Sequence, residues 1–177
     1  MKVAEACGPM IVDAAFMITS CLHSGGKLLF FGNGGSAADA QHIAAEFVGR
    51  FVAERRALPA MALTTDSSIL TAVSNDYGFE RIFARQIEAF GRPNDVAIGI
   101  STSGNSPNVL EGMKEAKKFH LKTVGLSGKD GGELAKLVDL AITVASKSTA
   151  RIQECHIAIG HLLCELVEAE LVESKSS

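Results

Sequence analysis

The sequence predicts an α/β fold, a three-layer α/β/α arrangement around a five-stranded parallel sheet. Three observations lead there. Short apolar runs without helical polarity recur at residues 28–31, 59–63, 96–100, 123–126 and 140–144, each with the length of a buried strand. Stretches of helical character separate most of these runs, and strands alternating with helices form a parallel sheet covered on both faces. Polar loops follow the first three runs, and strand C-termini are where such sheets bind ligands.

The chain-level properties agree. A length of 177 residues suits one domain, taken as 1–177 with an N-terminal helix at about 1–24 and a C-terminal helix at about 149–172. Hydrophobic residues make up 47% and charged residues 21%, which is ordinary for a globular protein. The net charge of -3 provides no global basic field, so nucleic acid is not an expected partner and any anion must be held by local loops. Cys7, Cys21, Cys155 and Cys164 show no C-x-x-C spacing and read as reduced thiols of a cytoplasmic protein. No apolar run approaches the ~18 residues of a membrane span. Ile18-Thr19-Ser20-Cys21 superficially resembles a lipoprotein cleavage site, but Glu5 and Asp13 interrupt the apolar stretch before it.

In chain order, residues 11–23 carry apolar side chains at helical spacing and stop at Gly25-Gly26. Strand 28–31 then breaks at Gly32-Asn33-Gly34-Gly35. Ser36 is expected to cap the next helix, with Asp39 in an acidic first turn. A strand, a glycine loop and a helix N-terminus together suit an oxyanion. The loop lacks the third glycine of a dinucleotide fingerprint and the lysine of a nucleotide-triphosphate loop. On the same helix His42 and Glu46, four residues apart, share a face.

Residues 50–56 are charged and read as solvated. A short helix over 69–73, a loop at Asn75-Asp76-Tyr77-Gly78-Phe79, a helix over 80–90 and a turn over 91–95 follow. After the third strand comes Ser101-Thr102-Ser103-Gly104-Asn105-Ser106-Pro107, with Ser106 placed as N-cap and Pro107 at the first helical position. Its hydroxyls suit phosphate oxygens, although an ordinary capped turn would have the same composition. Gly131-Gly132-Glu133 leads into a short helix, the fifth strand follows, and residues 149–172 form a long final helix before a frayed tail at 174–177.

Three segments carry a family resemblance: Gly32-Asn33-Gly34-Gly35-Ser36-Ala37, Ile100-Ser101-Thr102-Ser103-Gly104-Asn105-Ser106 and Ala150-Arg151-Ile152-Gln153-Glu154-Cys155-His156. In this order they resemble the sugar isomerase (SIS) family, which has a flavodoxin-like sheet, and specifically its phosphoheptose isomerases. The match runs from about Ile11 to Glu170, and the N-terminus is shorter than is usual there. The resemblance implies an aldose–ketose isomerase that converts D-sedoheptulose 7-phosphate to D-glycero-D-manno-heptose 7-phosphate through an enediol. This would be the first step of nucleotide-activated heptose synthesis, whether for lipopolysaccharide, another surface glycan or a secondary metabolite. It implies a homotetramer with sites at subunit boundaries. It also implies one zinc ion per subunit, held by His42, Glu46, Gln153 and His161. The substrate-binding residues it implies are Asn33, Gly34, Gly35, Glu46, Asn75, Asp76, Ser101, Thr102, Ser103, Ser106 and Gln153.

The residues themselves permit this. Gln153 and His161 are separated by roughly 80° around an ideal helix and can face one side. Nitrogen and oxygen donors without thiolate suit a catalytic zinc site. On residue type alone Gln153 reads as a hydrogen-bonding helix residue, and His42 or His161 as a core histidine. Glu46 is the candidate base at carbon and His161 the acid/base at oxygen. His156 is read as structural, and His23 and His120 as solvated. The rival of another class is a non-catalytic SIS protein resembling the DnaA initiator-associating protein. In that branch the equivalents of Glu46 and His161 are replaced; here both are present.

Overall fold

Period-two alternation in the first strand sorts the hydrophobic core into two halves. The structure is a computed structural model that describes residues 2–173, with side chains described for 7–172. In β1 (Leu28–Gly32) every residue is buried. Successive side chains of a strand point to opposite faces. Phe30 accordingly joins Ile18, Phe47, Ile98 and Ile159 on one side, while Leu29 and Phe31 join Phe83, Met113 and Leu134 on the other. The Phe30 and Phe47 rings stack at 6.0 Å, and those of Phe31 and Phe83 meet at 5.2 Å.

The first half of the core lies under α1 (Lys2–His23), α2 (Gly35–Val48) and α7 (Thr149–Glu173). The second lies under α4 (Ile82–Phe90), α5 (Pro107–Lys118) and α6 (Gly132–Leu137). Between them the five parallel strands run in the order β2-β1-β3-β4-β5, where β2 is Ala60–Ala62, β3 Val96–Ser101, β4 Lys122–Gly128 and β5 Leu140–Val144. The expected three-layer, flavodoxin-like architecture is therefore present. In this order the direction of winding reverses between β1 and β3, and the crevice at that switch point is where such sheets take ligands. The glycine loop and the Ser101–Ser106 loop are the two segments that open there.

Some boundaries differ from the sequence reading for identifiable reasons. The first helix matches the expected N-terminal helix at about 1–24; it runs from Lys2 through Pro9, beyond the periodic stretch 11–23, because Cys7 continues the buried stripe of Ile11 and Ala14. Helix α3 spans Ser67–Tyr77, capped by the Asp66 carboxylate, which accepts from the Ile69 backbone N–H at 2.9 Å. It thereby absorbs Asn75 and Asp76, which the sequence placed in a loop, and ends at Gly78 with φ 89°. A 3-10 turn over Phe79–Arg81 precedes α4. The expected tail at 174–177 lies outside the described residues.

Candidate active site

Helix α2 starts earlier than the sequence suggested. Gly34, with φ 55° and ψ -121°, is the N-cap, and its carbonyl accepts from the backbone N–H groups of Ala37 and Ala38. A positive φ costs glycine little, so the chain enters the helix there. Ser36 is consequently a buried helical residue rather than the cap, and Asp39 lies beyond the first turn. Asp39 is buried with Oδ2 unpartnered. That burial raises its carboxyl pKa, with His42 acting in the opposite direction.

One turn further on, α2 meets α7. His42 Nε2 lies 2.9 Å from His161 Nε2, close enough for one ring to donate to the other. The ring centroids are 5.1 Å apart at 70°. His42 Nε2 is also 3.4 Å from Glu46 Oε1, and the two side chains are 48% and 25% exposed. The other side of His161 is covered by Phe51, whose ring stacks on it at 5.7 Å and 30°. The structure thus brings together His42, Glu46 and His161, which are far apart in sequence.

Gln153, two turns before His161 on α7, reaches the glycine loop: a β-carbon on Gly35 would run into its amide. Any side chain at position 35 would displace the Gln153 amide from this contact. For a tetrahedral zinc with bonds of ~2.0–2.1 Å, two donors sit about 3.3 Å apart. The His42–His161 and His42–Glu46 separations bracket that value. Two imidazoles and a carboxylate form a suitable donor set, with Gln153 at the same helix junction. Among the described residues, no three His, Cys, Asp or Glu side chains converge closely enough to hold a metal as they stand. The two pair spacings suit the ion, and the third edge, between Glu46 and His161, is not closed.

The loop after β3 is organised by its own hydroxyls. Ser106 is indeed at the N-cap of α5 with Pro107 following, but its side chain makes no cap hydrogen bond. Instead Ser106 Oγ pairs with Ser101 Oγ at 2.9 Å, and Ser101 Oγ lies 3.3 Å from Ser103 Oγ. Ser103 Oγ also accepts from the Asn105 backbone N–H at 3.1 Å. Gly104 turns the loop with φ 68° and packs against Gly131, where a β-carbon has no room. Thr102 is half-buried beside these serines. Asn33 and Asn108 exchange two side-chain hydrogen bonds of 2.8 Å, which ties the glycine loop to the first turn of α5.

Asn75 and Asp76 are not drawn into this cluster. They lie exposed on the last turn of α3, where the Asn75 amide donates to Asp76 Oδ1 at 2.8 Å. His156 is structural as expected. It is 1% exposed, Nε2 lies 2.9 Å from the Ser127 carbonyl oxygen, and burial depresses its pKa despite that bond. His23 and His120 are exposed, and all four cysteines are free. A surface cavity of about 630 Å³ opens beside Lys129, Asp130 and Lys147 and includes none of the candidate residues.

The sequence reading missed two features. Asn108 had no local signal beyond its place after Pro107. The 50–56 segment is not simply solvated: the Arg55 side chain is 5% exposed and pairs with Glu168, itself 4% exposed, at 2.9 Å. A charged run gives no hint that one of its arginines is buried against a glutamate more than a hundred residues away.

Comparison with known proteins shows the family. Residues 2–128 match the SIS domain family model. A phosphoheptose isomerase from Aquifex aeolicus is 59% identical over 173 residues, covering 98% of this chain and 91% of that protein. One from Roseiflexus sp. is 58% identical over 172 residues, covering 97% and 87%. Among solved structures, phosphoheptose isomerase from Neisseria gonorrhoeae superposes with a TM-score of 0.90 at 45% identity, covering 95% of this chain and 90% of that one. The Francisella tularensis enzyme gives a TM-score of 0.91 at 42% identity, covering 94% and 88%. With sequence and fold in agreement over nearly the whole chain, this protein belongs to the phosphoheptose isomerases of the SIS domain family.

Proposed function

We propose that the protein interconverts D-sedoheptulose 7-phosphate and D-glycero-D-manno-heptose 7-phosphate by proton transfer through an enediol. The observation that carries this reading is the His42–Glu46–His161 cluster, where α7 meets the helix that the glycine loop of the switch point opens. A carboxylate base next to a proton-carrying imidazole is the minimum machinery for moving protons at adjacent carbon and oxygen atoms.

The Glu46 carboxylate accepts a proton from C1 of the open-chain ketose. The C–H electrons form the C1–C2 double bond, and the C2 carbonyl oxygen takes a proton from His161. In the second half the O1 hydroxyl returns a proton to His161 as the C1 carbonyl forms, and C2 takes the proton held by Glu46. With Oε1 of Glu46 facing His42, the other carboxylate oxygen is assigned to the carbon-bound proton. Ser101, Thr102, Ser103 and Ser106 bind the phosphate, exchanging their mutual hydrogen bonds for bonds to its oxygens. Asn33, Gly34 and Gly35 face the sugar, as do Gln153 and the Glu46 carboxylate.

His42, Glu46, Gln153 and His161 are the residues that would hold zinc, His161 through the Nε2 that faces His42, which leaves its Nδ1 to carry the proton. The donor types and pair spacings support this assignment. Zinc, when bound, would polarise the substrate carbonyl as a Lewis acid.

The active form is a homotetramer in which a neighbouring subunit brings Asn75 and Asp76 to the sugar. Helix α3, which carries both residues, has no fully buried side chain, only Leu70 and Val73 packing partly against the core. Exposed apolar side chains, Phe16 at 76%, Tyr77 at the end of α3 and Phe79 just beyond it, suit contact between copies. Light scattering is expected to give four times the chain mass of 18.6 kDa.

The reading is tested by supplying purified protein with sedoheptulose 7-phosphate and following the aldose by NMR, with metal content measured on the same sample. Conversion of the phosphorylated ketose, and not of free sedoheptulose, is expected. No conversion by metal-replete protein would refute it. A non-catalytic role like that of the DnaA initiator-associating protein is disfavoured, because both Glu46 and His161 are present and meet at His42.

A further inference from the structure

We propose that the buried Arg55–Glu168 pair is a positioning clamp that sets the geometry of the catalytic cluster, with Phe51 as the element through which it acts on His161. This rests on the catalytic reading of Glu46 and His161 given above, and it adds residues that do not touch the substrate.

Three sets of contacts converge on the pair. The Glu168 carboxylate lies in a nest of consecutive backbone N–H groups, accepting from Phe51 at 3.1 Å on Oε1 and from Val52 and Ala53 at 2.7 Å on Oε2. Such a nest fixes the backbone of a loop around an anion. Arg55 faces the same carboxylate and donates to main-chain carbonyls at the end of α2, among them Phe47 at 3.0 Å and Glu46 at 2.9 Å. The third contact is the Phe51 ring stacked on His161.

The chemistry at each end is therefore tied to one ion pair. Glu168 lies seven residues after His161, two turns along the same face of α7. Its nest holds the Phe51 backbone so that the ring lies against the His161 imidazole. Arg55 pins the carbonyl of Glu46, the residue proposed as base. A surface salt bridge would do little of this, because it exchanges readily with water. A pair buried on both sides has no such alternative partner. Both catalytic side chains thus take their placement from one loop whose conformation is dictated by a single carboxylate. Small displacements of reacting groups, even from remote changes, can cost about 100-fold in rate.

The test uses full-length protein as purified, with histidine-selective isotope labelling, in the variants Glu168→Gln and Phe51→Leu. Glu168→Gln keeps the shape of the side chain while removing the charge that holds the nest. Phe51→Leu removes the ring at the contact and leaves the buried pair alone. The expected result is a fall in kcat of about 10- to 100-fold in Glu168→Gln with KM changed less than about threefold. The His161 ring resonances should lose the same ring-current displacement in both variants. If Glu168→Gln leaves the His161 resonances at their wild-type positions, the clamp is refuted, whatever the turnover. The same holds if it folds with wild-type kcat. Should Glu168→Gln prove too unstable to assay, Phe51→Leu decides alone: unchanged His161 resonances or unchanged kcat overturn the proposal. The NMR arm reads placement without catalysis, so failure of the isomerase reading is distinguished from failure of the clamp.

Discussion

The two halves of the candidate site are built in opposite ways. The serines of the Ser101–Ser106 loop are organised locally: their hydroxyls bond each other and the loop's own backbone within five residues in sequence, and only Gly104 and Asn105 reach out, to the start of α6. The His42–Glu46–His161 cluster is assembled across 119 residues, at the contact of α2 with α7, and is braced by a loop belonging to neither helix. A locally organised loop can bind an anion in almost any variant that still folds. A cluster assembled at long range depends on every element that sets its spacing. The difference teaches where binding and catalysis are separately vulnerable.

Substitutions can break that contrast, and those at the cluster should have the largest effect. Glu46→Gln and His161→Ala are each expected to lower kcat by at least about 10²- to 10⁴-fold, the span of general acid–base catalysis, with the circular dichroism spectrum unchanged. Next is Glu168→Ala, which leaves the buried Arg55 without its counter-charge. Removing one partner of a buried pair costs about 3–5 kcal/mol, so a urea titration should show the midpoint lowered accordingly.

The Ser101–Ser106 loop, proposed to hold the phosphate, should respond more mildly. Ser106→Ala removes one hydroxyl from a site that retains Ser101, Thr102 and Ser103. One hydrogen bond to a charged group is worth about 1.5–3 kcal/mol, which predicts KM raised about tenfold or more with kcat nearly kept. A large loss of kcat with unchanged KM would place chemistry rather than binding at this loop.

The smallest effect concerns His156, which lies on α7 but outside both halves. Burial lowers its folded pKa below the ordinary histidine value. As pH falls through about 6.5 the unfolded chain takes up the proton first, so stability is full above that pH and declines below it. Its contribution to the slope is at most about 1.4 kcal/mol per pH unit. Denaturant titrations between pH 7.5 and 5 should show a shallower decline in His156→Gln than in the parent.

The same local–distant contrast decides what the sequence could disclose. The β1 and β3 strands, the Gly34 turn and the Ser106-Pro107 helix start are written in adjacent residues, so periodicity and turn chemistry reveal them. His42 and Glu46 share a face by spacing alone. The pairing of His42 with His161 needed the packing of two helices, and only the family resemblance pointed to it. Arg55 and Glu168 were illegible, since a buried charge in a loop has the same local sequence as a solvated one. Asn75 and Asp76 were misplaced because Asp66 caps a longer helix than their composition suggested.

The most direct test of the division between binding and chemistry is solvent exchange at C1 of bound sedoheptulose 7-phosphate in D2O, followed by NMR at saturating substrate. Wild type and Ser106→Ala should both exchange the C1 hydrogen at comparable rates, while Glu46→Gln should lose exchange even though it binds the sugar phosphate. Exchange at the wild-type rate in Glu46→Gln would contradict the account.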